Sequence, residues 1–237
     1  MDIKKELAPS GTLRVGLNYG NFLLVLKDEP DGSPRGIAPD LGRELGRRLG
    51  VPVEFVRFKQ AGQLADGVRD ETCDVGFLGA EPQRANEIAF TSAYLEIPVT
   101  FLAPAGSKIK RIADVDREGV RVAVSARSAY DLYLSRTLKH ARLVRAEGID
   151  ASYEIFVAQR LDVLAGLKPR LVSDAEKLPG SRVLDGQVTG VQQAVGTKKT
   201  RTAAASYLVD FVDDIKRSGL VAKTIEKHGV RGVSVAK

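Results

Sequence analysis

An arginine and a serine stand in this chain where a small anion could be held. Arg84 lies beyond Gly79, across the turn Ala80-Glu81-Pro82-Gln83 that ends the apolar run Asp74 to Leu78, and is expected to open a helix. A guanidinium there can clamp a carboxylate through two parallel hydrogen bonds. The plainer alternative is a solvated arginine paired with Glu87 at i+3. Ser128 follows Arg127 just past the run Val120 to Val124, with Asp131 three residues on, the spacing of a helix N-cap. Backbone N–H groups freed at such a cap attract anions. The alternative is a cap with no ligand. Arg127 either adds positive potential there or points to solvent. Asn18-Tyr19-Gly20-Asn21 and Gly166-Leu167-Lys168 end two further apolar runs. In open parallel sheets, ligands bind beyond such strand ends.

Other chemistry finds no support in the sequence. His140 and His228 are far apart, no His/Cys/Asp cluster has metal-ligand spacing, and neither GxSxG nor GxGxxG occurs. No metal and no cofactor is expected. Gly196-Thr197-Lys198-Lys199-Thr200 has a faint phosphate-loop look, but its glycine spacing and its ending are wrong. Gly42, Gly46 and Gly50 at four-residue spacing read as close helix packing, since Arg43, Arg47 and Arg48 among them exclude a membrane helix. The one cysteine, Cys73, permits no internal disulfide and reads as a small buried hydrophobe.

The elements that must position these groups follow from periodicity. Leu13 to Leu17 alternates as a strand and runs into a loop at Asn18. Ile37, Leu41, Leu45 and Leu49 recur every four residues, with Pro39 at the start and Gly50 past the end, which predicts an amphipathic helix. Val53 to Val56 is a strand, Leu64 to Val68 a short helix and Asp74 to Leu78 a third strand, giving a βαβαβ unit with a parallel sheet. The pattern restarts with a strand at Val120 to Val124, helices at Ser128 to Lys139 and Ser152 to Gln159, and a strand at Asp162 to Ala165. Extended segments at Ile97 to Leu102 and Val191 to Val195 predict two crossings between lobes. Helices at Thr202 to Ser218 and Leu220 to His228, stopped by Gly219 and Gly229, have no sheet of their own and are expected to pack on the first lobe. The expected organisation is lobe 1 from residues 1–98 and 194–237 and lobe 2 from 99–193.

With 237 residues, 43% hydrophobic and 28% charged, disorder and disulfide scaffolds are excluded. The net charge of +6 and pI near 9.4, taken globally, point to nucleic acid or an anionic surface. Aromatic residues at 6% without Trp leave few stacking platforms, and the basic residues are dispersed, so nucleic-acid binding is not expected. No stretch approaches ~20 uninterrupted apolar residues, so nothing is expected to be embedded in a membrane. No apolar signal core follows Met1, which leaves two locations: periplasmic after removal of a signal, or otherwise cytoplasmic.

The stretches GTLRVGLNYGNFLLVLKDEPDGSPRGIAPDLGRELGRRLGVPVEFVRF, CDVGFLGAEPQRANEIAFTSAYL and GVRVAVSARSAYDLYL resemble extracellular solute-binding protein family 3, the polar amino-acid binders of ABC importers. The resemblance covers nearly the whole chain and is most specific in Gly36 to Gly50 and in Pro82-x-Arg84-(x)5-Phe90-(x)3-Tyr94. It implies an α/β type II periplasmic-binding fold: two lobes, each a mostly parallel sheet flanked by helices, joined by two β crossovers and closing on a ligand by hinge motion. Carried over residue by residue, Arg84 falls on the arginine that holds the ligand's α-carboxylate in this family. Gly79 falls on a nearby backbone contact, and Ser128 falls in the Thr/Ser turn of the second lobe.

The departures bear on the ligand. Leu167 stands where the family's acid accepts the ligand's α-ammonium group, and its neighbours Gly166 and Lys168 are not acids. Asn21 and Ala61 replace two aromatics, and Asn18 replaces an acid common in the first loop. A buried ammonium without a partner is costly. The resulting expectation is a non-enzymatic, monomeric solute-binding protein that takes a small anionic or carboxylate ligand other than a standard α-amino acid, with an ABC permease as partner. Arg84 would be the clamp, Ser128 the clasp, Arg127 a source of positive potential, and Asn18, Tyr19 and Asn21 the polar wall. Two alternatives stay open. One is a lyase resembling cyclohexadienyl dehydratases, for whose general acid no residue matches and Glu81 near Arg84 is the only local candidate; the other is an orphan cytoplasmic sensor.

Overall fold

The computed structural model describes residues 3–237. In chain order the elements are α1 (Ile3–Leu7), β1 (Leu13–Asn18), α2 (Ile37–Leu49), β2 (Val53–Phe58), α3 (Ala61–Arg69), β3 (Val75–Gly79) and β4 (Ile88–Phe90). There follow β5 (Leu95–Ala103), β6 (Arg121–Ser125), α4 (Ala129–Thr137), β7 (Arg142–Ala146), α5 (Ile149–Ala158), β8 (Val163–Leu167), α6 (Lys168–Glu176) and β9 (Arg182–Val183). The last are β10 (Thr189–Lys198), α7 (Thr202–Arg217), α8 (Leu220–Lys227) and β11 (Ser234–Val235). The chain divides into two units. Unit 1 holds the residues up to Glu96 together with Gln192–Lys237, and unit 2 holds Ile97–Val191, so β5 and β10 carry the chain from one unit to the other.

In unit 1, β1 lies between β2 and β3, parallel to both, with Leu13 opposite Val53 and Val15 opposite Val75. The second half of β10 adds antiparallel to β3, Val195 opposite Phe77. The predicted period of α2 is realised: Ile37, Leu41 and Leu45 are fully buried. Burial of each such side chain contributes roughly 1.5–3 kcal/mol. Gly46 lets this helix lie close on the sheet, since a Cβ there would collide with Val53 Cγ2. Gly50, at φ 65°, ends the helix in the left-handed region and donates its N–H back to the Arg47 carbonyl.

Unit 2 repeats the arrangement: β6 lies between β7 and β8, parallel to both, and β5 runs antiparallel to β8 with Val99 opposite Leu167. A matching clasp closes the start of each sheet. Asp74 Oδ2 accepts from the Arg14 backbone N–H at 2.9 Å and from its Nε at 3.0 Å. Asp162 Oδ2 accepts from the Arg121 backbone N–H at 2.8 Å and from its Nε at 3.2 Å.

Several local expectations change. The helix expected to open at Arg84 is a single 3-10 turn, Arg84–Asn86, because the chain passes at once into β4, which pairs with β10. The helix expected to reach Lys139 stops at Thr137. Leu138 is extended, and the Asp116 carboxylate accepts the N–H groups of Lys139, His140 and Ala141 at 2.8–3.0 Å. The segment with a phosphate-loop look is the end of β10, where the Lys198 ammonium pairs with Glu71 at 2.7 Å. Cys73 is buried, and burial pushes its thiol up to about 12. Strand β7 and helix α6 were not expected.

Candidate ligand-binding site

Because β1 and β3 are parallel, their carboxyl ends Asn18 and Gly79 lie on one edge of the unit 1 sheet, and the sequence-predicted residues Asn18 to Asn21 and Arg84 follow directly from that edge. Arg84 is 7% exposed, unlike the solvated side chain of the plainer alternative, and its Nη1 donates to the Gly79 carbonyl at 2.7 Å. The carbonyl fixes the direction of the guanidinium at the end of β3. Gly79 therefore acts through its carbonyl on Arg84.

The loop after β1 is organised by its own polar groups. Asn18 Oδ1 accepts from Gly20 N–H at 3.1 Å. Asn21 is buried, its Oδ1 accepts from Leu23 N–H at 3.2 Å, and its carbonyl accepts from Leu24 and Val25 at 3.0 Å. Such Asx turns fix backbone. Phe22, the next residue, is the exposed large side chain of this loop, at 36%. Sequence reasoning, attending to Asn21, missed it; the one available signal was that an aromatic stands one position on. The Tyr19 hydroxyl donates to Asp28 Oδ1 and accepts from Arg57 Nε, both at 2.9 Å, while the Arg57 guanidinium lies over its ring. Burial first, against the opposing bond from Arg57, raises the Tyr19 phenol above its ordinary value. Ala61 begins α3 and is half-buried.

In unit 2 the carboxyl ends of β6 and β8 again share an edge, which brings Arg127, Ser128, Leu167 and Lys168 to one side of that sheet. Ser128 caps α4: its Oγ accepts from Asp131 N–H at 3.1 Å, and the residue is 7% exposed. Arg127 is exposed and sits at φ 56°, a left-handed conformation that costs a non-glycine residue about 1 kcal/mol or more. Its N–H donates to Asp131 Oδ2 at 2.8 Å, so one aspartate ties both residues of the turn. That aspartate is held in turn by Arg145 Nε at 2.9 Å. Next to the cap, burial pushes the Tyr130 phenol up to about 12. Leu167 is 3% exposed and paired with Val99 in the sheet. Lys168 opens α6, with Pro169 in the first turn.

Among the described residues no group of three or more His, Cys, Asp and Glu is placed to hold a metal ion, and no helix is long and apolar enough to cross a membrane. The arrangement places a buried guanidinium at a strand end in unit 1 and a capped helix start at a strand end in unit 2.

Solved structures share this fold. Holo ArgBP from T. maritima aligns with a TM-score of 0.74 and 21% identity over 95% of this chain and 99% of that one. A solute receptor for L-cysteine of Neisseria gonorrhoeae aligns at 0.79 with 19% identity over 94% and 93%. An ancestral amino-acid-binding protein, a precursor of cyclohexadienyl dehydratase, aligns at 0.77 with 22% identity over 96% and 99%. The model of the bacterial extracellular solute-binding proteins, family 3, matches residues 13–231. A match over nearly the whole chain, on a two-unit α/β fold, places this protein in that family.

Proposed function

We propose that this solute-binding protein takes a small carboxylate that carries no free α-ammonium group, with Arg84 as its anion clamp. Members of the family bind small solutes and work with ABC permeases, and that is the setting in which this chain would act. The observation that carries the reading is the burial of the Arg84 guanidinium at a strand end, oriented by the Gly79 carbonyl. The Ser128 turn, with Arg127 beside it, would supply further anion-holding groups. Asn18 and Asn21 shape the first loop, Tyr19 anchors it through Asp28 and Arg57, and Phe22 offers an apolar surface. Against an amino acid stands Leu167, a buried aliphatic side chain in a position where the resemblance calls for an acid. An ammonium group set against it would lose hydration and gain no counter-charge.

The test is calorimetric titration with matched pairs, each an α-amino acid and its des-amino analogue with the same side chain. The des-amino acid is expected to bind more tightly in the best pair. Arg84→Ala is expected to cost about 2–5 kcal/mol of that binding, the range for truncating one partner of a buried charged pair. Tighter binding of the amino acid in every pair refutes the ligand class, and unchanged affinity in Arg84→Ala refutes the clamp.

A further inference from the structure

A hollow of about 600 Å³ in unit 1 is lined by none of the strand-end residues described above. Three stretches of chain bound it: the loop carrying Glu29, Ser33 and Arg35, the α2 residues Asp40 and Arg43, and the end of α8 with Lys227 and His228. Asp40 gathers the cations. Its Oδ2 accepts from Lys227 Nζ at 2.7 Å and faces His228 Nε2 at 2.9 Å, and its Oδ1 accepts from Arg43 Nη1 at 3.2 Å. Burial pushes the Asp40 carboxyl up, but the bonds from Lys227 and His228 outweigh it and its pKa is lowered, so the carboxylate keeps its charge and its hold. Arg35 reaches Glu29 only at 3.8 Å.

The lining thus sets Arg35, Arg43 and Lys227 against two carboxylates, with His228 adding a further positive charge when protonated. Arg43 and His228 are also held before any ligand arrives. Arg43 is fixed a second time by its Nη2, which donates to the Pro34 carbonyl at 2.6 Å, and the His228 side chain is only 5% exposed. A bound anion would therefore lose little entropy in recruiting them. An ammonium has three donors and a guanidinium five, more than these bonds to Asp40 and Pro34 employ. A neighbouring hollow of about 450 Å³ shares Asp40, Arg43 and Lys227 and adds Lys223 together with Arg47 and Glu44, which pair with each other at 2.7 Å, so that cations still outnumber carboxylates along α2 and α8.

The geometry points to a second binding site on unit 1, between the loop carrying Arg35, α2 and the end of α8, for a phosphate group, free or at the end of a small monoester. Donors reach the hollow from three directions and suit a tetrahedral dianion, whereas a planar carboxylate is satisfied by one guanidinium fork. The volume lies in the range of small-ligand sites and leaves room for an ester substituent.

Calorimetric titration of the full chain at low ionic strength, with inorganic phosphate and then with glycerol 3-phosphate, tests this. Saturable binding of one equivalent is expected, weakened several-fold by physiological salt. Tighter binding of the monoester identifies an esterified ligand; tighter binding of inorganic phosphate identifies the free ion. Arg35→Ala removes a half-exposed side chain and is expected to leave thermal unfolding unchanged while weakening phosphate binding about tenfold, the fold-change for one charge-assisted hydrogen bond. Lys227→Ala is expected to weaken phosphate binding by a similar factor. Arg84→Ala should leave phosphate binding intact. Absence of saturable binding, loss of binding in Arg84→Ala, or full binding in Arg35→Ala each overturns the site.

Discussion

The two units use one strand order and one Arg–Asp clasp, yet they build the space beyond the strand ends differently. In unit 2 the chain passes from β6 to α4 through Ala126, Arg127 and Ser128 alone, so the helix start stands directly at the sheet edge. In unit 1 the segment between Asn18 and Ile37 intervenes between strand and helix. A short connection leaves a helix start at the sheet edge, the capped turn at Ser128. A long one separates strand from helix, and the cationic side chain at that edge, Arg84, comes from another connection. Equal topology fixes which strand ends share an edge, while the length of a connection decides whether a helix start follows there at once.

The clasps differ in burial, and the largest expected effect breaks the comparison there. The Asp74 side chain is 0% exposed and is shared with a second arginine, Arg201 Nη1 at 3.0 Å, whereas Asp162 is 38% exposed. Asp74→Ala leaves two guanidinium groups without their common carboxylate and is expected to cost about 3–5 kcal/mol in urea denaturation. Asp162→Ala is expected to cost no more than about 1 kcal/mol. Equal losses would mean that burial does not separate the two clasps. Next in size is Ser128→Ala, expected to remove about 1 kcal/mol of stability with the N-cap bond to Asp131. Arg127→Gly works in the opposite direction. Relief of its left-handed backbone is expected to raise stability by up to about 1 kcal/mol, offset in part by the entropy of the glycine in the unfolded chain. A lower denaturation midpoint in Arg127→Gly would show that the side chain holds the turn.

Local pattern explains which features could be read from the sequence. The apolar period of α2 and the runs of β1, β3, β6 and β8 are strong because each face buried against the sheet must be apolar along its whole length. Strand β7, Arg-Leu-Val-Arg-Ala, and helix α6, opened by Lys168-Pro169-Arg170, are half-exposed elements whose charged residues mask the period. Arg84 was legible through its neighbours in sequence, Pro82 and Phe90. Its burial and its bond to the Gly79 carbonyl were not, since both depend on how the turn after β3 folds back. Asp40 and His228 are separated by 188 positions, and no spacing rule connects them; only the packing of α8 against α2 brings them to 2.9 Å. Phe22 and Asn21 exchange the roles expected from their types because the Asx turn directs the asparagine inward.

Acid and salt together make the finest division between the units. In unit 1, Glu44 is lowered to about 2, first by its hydrogen bond from Arg47 and, after an opposing effect of burial, by that from Arg48. In unit 2, Asp116 is lowered by the backbone N–H groups of Ala141 and His140 ahead of any neighbouring charge. Both groups have folded-state values below the ordinary carboxylate range, so each contributes stability that is present above that range and lost as pH falls through the lowered value. The two differ in the origin of the depression. Mobile ions screen the Glu44 pairs, whose partner Arg47 is 72% exposed, but they do not displace backbone donors from Asp116. Thermal unfolding of Glu44→Gln and Asp116→Asn across the acid range, at low and at high salt, reads this out. At low salt both variants are expected to flatten the loss of melting temperature with acid. At high salt the Glu44→Gln difference should shrink toward zero while the Asp116→Asn difference persists. Equal screening of both would show that charge on the surrounding arginines and lysines, rather than the backbone, holds Asp116 ionised.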